Sequence, residues 1–515
     1  MDDVDAVVIG SGPNGLVAAT LLARAGWRVT VLERSAVAGG AVHSGELTVP
    51  GYVHDTYSAF YGLLHCSPVL RELGLDKDVE WAQFASPVAA AVSPHEVAVC
   101  HRDPERTAAG LARRAAADGP AWTTLYRWWR EVGTSFLAQM LGPVGAPGPG
   151  LAFARRARRD GLFDTTALLL GPLEALCIER FSDPAARALV AAGASHADVP
   201  VDHPGSAPAA LILALAAQEL GMPVPVGGAG RLAAALAGAA TDAGAVIVTG
   251  TEVTRVVVER NRITGVETAG GDPVRARRAV LADTGPRALF HGLVGTDHLP
   301  ARFLDGLRRF RYGTGVFKVD LALDGPAPWT EPELAETGVV HLTGDLDAMA
   351  QAAHEARRGV VPMKPMLIVG QQSVADPSRA PSGGHTLWIE THVPPVPRPS
   401  GSWASSKDAF LDVVMDRLED HAPGVGSKVL GSAVRTPEDL ERENPNLVGG
   451  DLGAGSSSLD QQLVFRPVPG WFRYGTPVKG LYMCSASTHP GGGVHGMAGH
   501  NCARRVLSDR RRRRI

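Results

Sequence analysis

A glycine-rich turn near the amino terminus constrains the fold of this chain more than any other segment. An apolar run, residues 6–9, is followed at once by G-x-G-x-x-G at Gly10, Gly12 and Gly15 and then by an Ala-rich segment. This order predicts a buried strand, a tight turn and a helix. Gly10 permits the turn, Gly12 lets the backbone approach a diphosphate, and Gly15 lets the helix pack closely on the strand. Pro13 suits the first helical turn, where its missing N–H costs nothing.

An acidic residue follows at the position that a dinucleotide site requires. Residues 27–32 form a second predicted strand, and Glu33 stands at its end. A carboxylate there can accept hydrogen bonds from both ribose hydroxyls of an adenosine. This order of strand, turn, helix, second strand and acidic residue therefore predicts a dinucleotide-binding unit. The alternative is a glycine-rich turn in some other α/β unit.

A second glycine pair distinguishes between dinucleotides. Arg34 follows the acid, and Gly39, Gly40 and Ala41 come a few residues later. Glycines at this place allow another close approach of backbone to a bound dinucleotide, which favours FAD over NAD. A second G-x-G-x-x-G at a strand-to-helix junction does not occur, so no NAD(P)H domain is evident.

The other strong signal lies near the carboxyl terminus, at residues 480–501. The order is strand, glycine-rich loop and helix start, and the glycines would let backbone pass against the flat isoalloxazine ring. A helix that begins near Gly499 would direct its N–H groups and positive dipole end at the ring, where negative charge accumulates on reduction. The flavin-binding residues predicted in this loop are Ser487, Gly493, Gly496 and Met497.

Composition excludes several classes of protein. The formal net charge of the 515 residues is -3, so nothing global attracts nucleic acid. Five cysteines form an odd set with no C-x-x-C pair, which argues against a disulfide framework and favours a reducing cytoplasm. The acidic amino terminus does not fit a signal peptide, and the longest apolar stretch, residues 207–217, is shorter than a membrane span.

Two basic segments leave a peripheral membrane contact open. Residues 151–163 place four arginines among apolar side chains, and residues 510–514 are five consecutive arginines. Both patterns can contact an anionic membrane surface. The alternatives are a solvated helix face and a solvated terminus.

The chain as a whole resembles the phytoene desaturase-related FAD-dependent oxidoreductases, a family of amine-oxidase-like flavoproteins. The resemblance is carried by Gly10 to Gly15 with Pro13 and Asn14, by Gly39-Gly40, Gly227-Gly228, Asp460-Gln461, Arg466-Pro467 and Thr476-Pro477, and by Thr488 to Gly493. It departs from the family at Ser485 and Ser487, where many relatives have glycines, and at Gly453-Ala454, where close relatives often have an aromatic residue and a histidine. In the fold that the resemblance implies, the backbone at Val253 lies near adenine.

The predicted fold class is α/β, a Rossmann-like FAD-binding domain with an inserted α+β substrate domain of mixed sheet and helices. We predict FAD-binding segments at residues 1–90, 226–300 and 441–515. A mainly helical insertion, with a glycine- and proline-rich loop at residues 142–150, is predicted at residues 91–225. The sheet and helices of the substrate domain are predicted at residues 301–440.

The predicted function is hydride transfer from a small hydrophobic, polyene- or isoprenoid-like substrate to flavin N5, with oxygen or a quinone as external acceptor. His489 and His495 are the candidate bases, since both sit in the loop expected to face the ring; a structural role in the turn is the alternative for His489. No cluster of residues suggests a metal site. Double-bond isomerisation, amine oxidation and a non-catalytic FAD-binding assembly protein remain alternatives.

Overall fold

The computed structural model describes residues 3–145, 147–158 and 161–512. The strands, in chain order, are β1 Val4–Ile9, β2 Val29–Leu32, β3 Ser44–Glu46, β4 Val53–Asp55, β5 Trp81–Ala82, β6 Ser86–Ser93, β7 Glu96–Cys100, β8 Val224–Pro225, β9 Val246–Val248, β10 Val253–Glu259, β11 Arg262–Thr268, β12 Pro273–Ala282, β13 Gly315–Leu323, β14 Thr337–Leu342, β15 Leu367–Gly370, β16 His385–Val393, β17 Val429–Arg435 and β18 Leu481–Met483. The α-helices are α1 Pro13–Arg24, α2 Gly62–His65, α3 Val69–Glu72, α4 Leu75–Asp78, α5 Pro104–Arg114, α6 Asp118–Leu141, α7 Pro147–Ala157, α8 Leu162–Leu170, α9 Leu173–Arg180, α10 Pro184–Ala191, α11 Ala207–Leu220, α12 Ala229–Asp242, α13 Ala301–Leu307, α14 Leu346–Arg357, α15 Gln372–Ala375, α16 Lys407–His421, α17 Pro437–Glu443 and α18 Met497–Arg511.

The first sheet has the order β10-β11-β12-β1-β2-β9, with β18 paired to β12. Strands β12, β1, β2, β9 and β18 run parallel, whereas β10 and β11 form an antiparallel hairpin. Every side chain of β1 is buried, as expected for a strand covered on both faces. Helices α1, α12 and α18 cover one of those faces and share a continuous apolar core with it.

The carboxyl ends of four parallel strands meet at one edge of this sheet. Ile9 lies opposite Leu32 in β2 and Ala282 in β12, and Ala282 lies opposite Met483 in β18. The segments that follow these four strands therefore emerge side by side. In open α/β sheets this edge is where ligands bind.

The second sheet has the order β17-β13-β16-β15-β14-β6-β7 and is antiparallel except for the β6–β14 pair. One face packs on α16 through Phe410, Val414 and Leu418. The opposite face packs on α6, α9, α10 and α11. Mixed sheet and helices thus form the inserted part of the α/β fold.

Two sequence predictions about this insertion need correction. Residues 142–150 do not form a loop throughout, because α7 begins at Pro147 despite the local Gly and Pro content; Pro is tolerated in a first helical turn. Residues 86–100 supply β6 and β7 to the second sheet, so the predicted boundary at residue 90 falls within a strand. Pairing with the distant β14, which no local pattern reveals, places them there.

None of the described helices combines the length and apolar character that crossing a membrane requires. Part of each predicted basic segment, residues 159–160 and 513–514, lies outside the described residues.

Candidate active site

The amino-terminal turn has the geometry that its glycines predict. Gly10 has φ +92°, and α1 begins directly after Gly12, with Pro13 in its first turn. A Cβ on Gly15 would lie 2.4 Å from the carbonyl oxygen of Gly10, so only glycine fits. Gly12, the N-cap residue, has no side chain with which to cap the helix. This helix end can therefore receive a phosphate.

The acid at the end of β2 is buried and held in place. Glu33 Oε2 accepts hydrogen bonds from the backbone N–H and the hydroxyl of Ser11, both at 2.8 Å, and Oε1 accepts one from Ser35 N–H at 2.8 Å. A carboxylate has about four lone-pair sites, so acceptor capacity remains for a ribose. Thr251 N–H donates to the Glu33 carbonyl at 2.7 Å, which brings the start of β10, Val253, to the same end of the sheet. The neighbouring Arg34 is exposed and donates to the Glu443 carbonyl at 3.2 Å.

The second glycine pair lies against the first turn. Gly39 N–H donates to the Ser11 carbonyl at 3.0 Å, and a Cβ on Gly40 would lie 3.0 Å from Gly12 Cα. Next to the pair, the Ala41 carbonyl accepts a hydrogen bond from the Ser58 hydroxyl at 3.0 Å. The two glycine motifs thus form one continuous backbone surface.

The carboxyl-terminal loop reaches the same place. Gly499 N–H donates to Asn14 Oδ1 at 3.3 Å, and a Cβ on Gly499 would lie 1.9 Å from the Asn14 carbonyl oxygen. Gly496 packs on Val17, and Gly493 lies against Leu63. Residues predicted to hold the phosphates and residues predicted to hold the redox ring are therefore joined through α1 and α18.

The two candidate histidines differ in their hydrogen bonding. His489 Nε2–H donates to the Gly142 carbonyl at 2.9 Å, while its buried Nδ1 has no partner among the described residues. His495 Nδ1 accepts from Met497 N–H at 3.1 Å. Burial lowers the pKa of each imidazole to about 4, so both are neutral at pH 7. The free Nδ1 lone pair of His489 makes it the better candidate base, whereas His495 orders the start of α18.

The described residues fit FAD. The start of α1, where the N-cap residue Gly12 has no side chain, suits the diphosphate, and a buried carboxylate with spare acceptor capacity suits the ribose. At the other loop, the buried hydroxyl of Ser487 has no hydrogen-bond partner among the described residues. A buried hydroxyl without a hydrogen-bond partner costs free energy, which is consistent with a bound group that forms a hydrogen bond with it.

Asp283, an acid that no sequence motif indicated, lies beneath the glycine turn at residues 10–15. Asp283 follows β12, and its Oδ2 accepts a hydrogen bond from Gly15 N–H at 2.8 Å. Burial raises the pKa of Asp283 to about 7; the Gly15 hydrogen bond lowers it and the charge of Glu33 raises it. The available sequence signal was the position of Asp283 directly after an apolar strand that ends at the same edge as β1.

We expect Asp283 to make FAD affinity depend on pH. The native pKa lies above the ordinary value of 3.8, so the native state binds more protons and loses stability as pH rises towards about 7. Above that pH the carboxylate also repels the diphosphate. The dissociation constant for FAD, measured on apoprotein by flavin fluorescence, should rise about fivefold between about pH 6 and about pH 8, since a tenfold preference of FAD for the protonated carboxyl is only partly expressed at about pH 8.

Asp283→Asn is the matched variant, because its amide oxygen can still accept from Gly15 N–H. It should bind FAD with little pH dependence over the same interval. An unchanged pH profile in this variant would assign the dependence to another group.

A second group of polar residues that the sequence did not reveal lies on the face of the second sheet that packs on α6, α9, α10 and α11. His196 Nε2–H donates to His341 Nε2 at 3.0 Å, since His341 Nδ1–H faces the Ala89 carbonyl at 3.3 Å. Glu390 and His392 lie on the same side of β16, and the Glu390 Oε1 atom has no partner among the described residues. Burial raises the pKa of Glu390 to about 8 and lowers that of His341 to about 4. Glu390 and His341 are therefore both neutral at pH 7.

The chain is similar to a known protein family over most of its length. Residues 14–507 match the model of the family described as flavin containing amine oxidoreductase. The chain is 30% identical to pyridine nucleotide-disulfide oxidoreductase domain-containing protein 2 of Rattus norvegicus, over 98% of this chain and 94% of the relative. It is 24% identical to the phytoene desaturase (neurosporene-forming) of Cereibacter sphaeroides, over 96% of this chain and 92% of that protein.

Among solved structures, an oxidoreductase from Methanosarcina mazei has the same fold, with a TM-score of 0.63 and 18% identity over 98% of this chain and 99% of that one. The expected resemblance and fold class are thus confirmed. The chain belongs to the flavin containing amine oxidoreductase family, and it is an oxidoreductase whose cofactor is FAD.

Proposed function

We propose that the protein is an FAD-dependent dehydrogenase or desaturase of a small hydrophobic substrate, polyene- or isoprenoid-like in character, with oxygen or a quinone as external electron acceptor. FAD, when bound, supplies the hydride acceptor. The chain itself must then bind the substrate, exclude water and receive the proton that leaves the neighbouring carbon.

The apolar lining of a small cavity beside the second sheet carries this proposal. The closed volume of this cavity is about 10 Å³, room for about one water molecule, so its side chains must move apart for a substrate to enter. The lining is mostly aliphatic or thioether, and three polar side chains interrupt it, those of Asp198, Thr314 and His392. The apolar lining residues are Ala194, Ala197, Val199, Pro200, Val201, Met349, Ala353 and Met366. Such a lining favours a hydrocarbon-rich substrate.

Hydrogen bonds connect the cavity wall to the carboxyl-terminal glycine loop. Asp198 accepts from the Ser456 hydroxyl and from Ser457 N–H, both at 2.6 Å. The buried Arg466 donates to the carbonyls of Ala454, at 3.1 Å, and Ala486, at 2.9 Å. One guanidinium thus fixes the segment beside the cavity to the loop expected to carry the redox ring, which supports substrate binding next to FAD.

His489 is the proposed proton acceptor. Its Nε2–H is anchored on the Gly142 carbonyl at 2.9 Å, so the Nδ1 lone pair has a fixed direction. Its pKa of about 4 keeps it unprotonated at pH 7, although it also makes the imidazole a weak base. Positioning must then contribute most of the rate enhancement.

A peripheral membrane contact is part of the proposal. On α7 and α8 the side chains of Leu151 and Phe163 are 56% and 87% exposed. Arg155 and Arg156 are exposed on α7 beside them. Exposed apolar side chains with neighbouring arginines suit an anionic lipid surface, from which an apolar substrate can be drawn.

The test is anaerobic reduction of the purified holoprotein by apolar compounds identified in its own solvent extract by mass spectrometry. Bleaching of the oxidised flavin spectrum, with a desaturated product, is the expected result. Redox-neutral turnover of a polyene would favour the isomerase, and release of ammonia with an aldehyde would favour amine oxidation. A bound flavin that none of the extracted compounds reduces would favour the assembly protein.

His489→Ala should slow flavin reduction by about 10²-fold or more while FAD content stays unchanged. His291→Ala, an exposed histidine outside this loop, is the control. Equal rates of flavin reduction in the wild type and the His489 variant would show that His489 is not the proton acceptor.

A further inference from the structure

Three potential metal ligands converge beside the cavity, although one of them, His354, is 152 residues from Asp202 in the sequence. Asp202 and His203 follow the 3-10 turn Ala192–His196, and His354 lies in α14. Asp202 Oδ1 is 3.2 Å from His203 Nδ1, and Asp202 Oδ2 is 2.9 Å from His354 Nε2. The two imidazole centroids are 5.2 Å apart. Within the described part of the chain, this is the group of His, Cys, Asp and Glu side chains compact enough to hold a metal ion.

The spacing suits a small ion. Two ligands bound to Zn²⁺ at tetrahedral angles lie about 3.4 Å apart, given metal–ligand distances of about 2.0–2.2 Å. The three ligand atoms here lie within 4.8 Å of one another. Side-chain rotations that move the ligand atoms by at most about 1.4 Å would therefore bring them to this spacing.

The donor set selects the class of metal. Two imidazoles and one carboxylate suit zinc and its first-row neighbours, whereas Ca²⁺ and Mg²⁺ prefer oxygen ligands throughout.

We propose that Asp202, His203 and His354 bind one divalent first-row transition metal ion, for which Zn²⁺ is the reference. The three side chains are between 33% and 43% exposed, so the ion can enter from solvent and water can complete its coordination. The site lies apart from the glycine loops and does not depend on the proposed substrate.

A metal ion at this site would connect two segments that line the apolar cavity. Val201 and Ala353, the immediate neighbours of Asp202 and His354, both line the apolar cavity. A metal bound here crosslinks the segment before α11 to α14 across the rim of that cavity. Occupancy therefore stiffens the rim and limits how far it can open.

Equilibrium dialysis of tag-free holoprotein, first treated with chelator, against Zn²⁺ tests the site. The wild type should bind one equivalent, and His354→Ala and His203→Ala should each weaken binding at least about tenfold. Asp202→Asn keeps the side-chain volume and should weaken it as well, which covers the case in which a His variant folds poorly. Flavin absorbance and thermal unfolding without metal verify that each variant is folded.

His298→Ala is the matched control. Asp297 and His298 repeat the Asp-His dipeptide on an exposed turn, yet they belong to no cluster of three ligands within the described ranges. This variant should bind Zn²⁺ like the wild type, and Zn²⁺ should raise the unfolding temperature of both but not that of His354→Ala. Failure of the wild type to bind one equivalent, equal binding by His354→Ala, or displacement of Zn²⁺ by equimolar Ca²⁺ would each overturn the proposal.

Discussion

Replacing Arg379 by alanine is expected to lower the free energy of unfolding by about 3–5 kcal/mol, since it removes one partner of a buried ion network. The Arg379 side chain is 1% exposed. Its guanidinium donates to Asp55 at 2.9 Å, to Asp376 at 2.6 Å and to the Pro225 carbonyl at 2.9 Å. Without it, two carboxylates stay buried without their cation.

The same network positions the start of α12. Asp55 also accepts from Ala229 N–H at 2.7 Å, and Asp376 accepts from Gly227 N–H at 2.8 Å. Arg379 therefore holds both acids where they bind the backbone of the Gly227-Gly228 turn. Lysine has no fork of donors that could serve all three acceptors, so Arg379→Lys should recover little of the lost stability.

Urea unfolding followed by tryptophan fluorescence measures the effect. Arg255→Ala is the control, because the Arg255–Glu267 pair lies at the surface, with side chains 59% and 36% exposed. Surface pairs of this kind contribute little, so its unfolding midpoint should match the wild type. If Arg379→Ala unfolds at the wild-type midpoint as well, the network does not stabilise the fold.

Gly499→Ala should weaken FAD binding by about 10–100-fold, because a single methyl group forces α18 away from α1. Its Cβ would lie 1.9 Å from the Asn14 carbonyl oxygen and 2.7 Å from the carbonyl carbon, and backbone atoms cannot yield as a flexible side chain can. Overpacking of this kind costs about 1–3 kcal/mol, which corresponds to the expected loss of affinity.

The measurement is the dissociation constant for FAD on refilled apoprotein, together with the flavin content of the protein as purified. Gly238→Ala is the control, since Gly238 is also helical and a Cβ there meets nothing within 4 Å. It should bind FAD like the wild type and gain a few tenths of a kcal/mol or more in stability. Full flavin content with wild-type affinity in Gly499→Ala would mean that the two glycine loops need not touch.

The parts of the fold that were predictable rest on patterns spanning a few residues. The turn at residues 10–15 was recognisable because only glycine tolerates both its backbone angles and its contacts. The hairpin of β10 and β11 was predictable from alternation around Arg260 and Asn261, which do adopt positive φ. Helix α7 was missed because local Gly and Pro content outweighed a weak helical pattern, whereas packing against α6 decides its conformation.

The sequence by itself determined the cofactor class and the family, because FAD binding depends on short glycine motifs whose backbone requirements are local. Tertiary structure alone decided which acids and histidines meet. Asp283 reaches Gly15 across 268 residues, His354 reaches Asp202 across 152 residues, and Arg379 reaches Asp55 across 324 residues. The strand order and the helix packing determine these contacts. The residues next to each contact in the sequence show no pattern that would predict it.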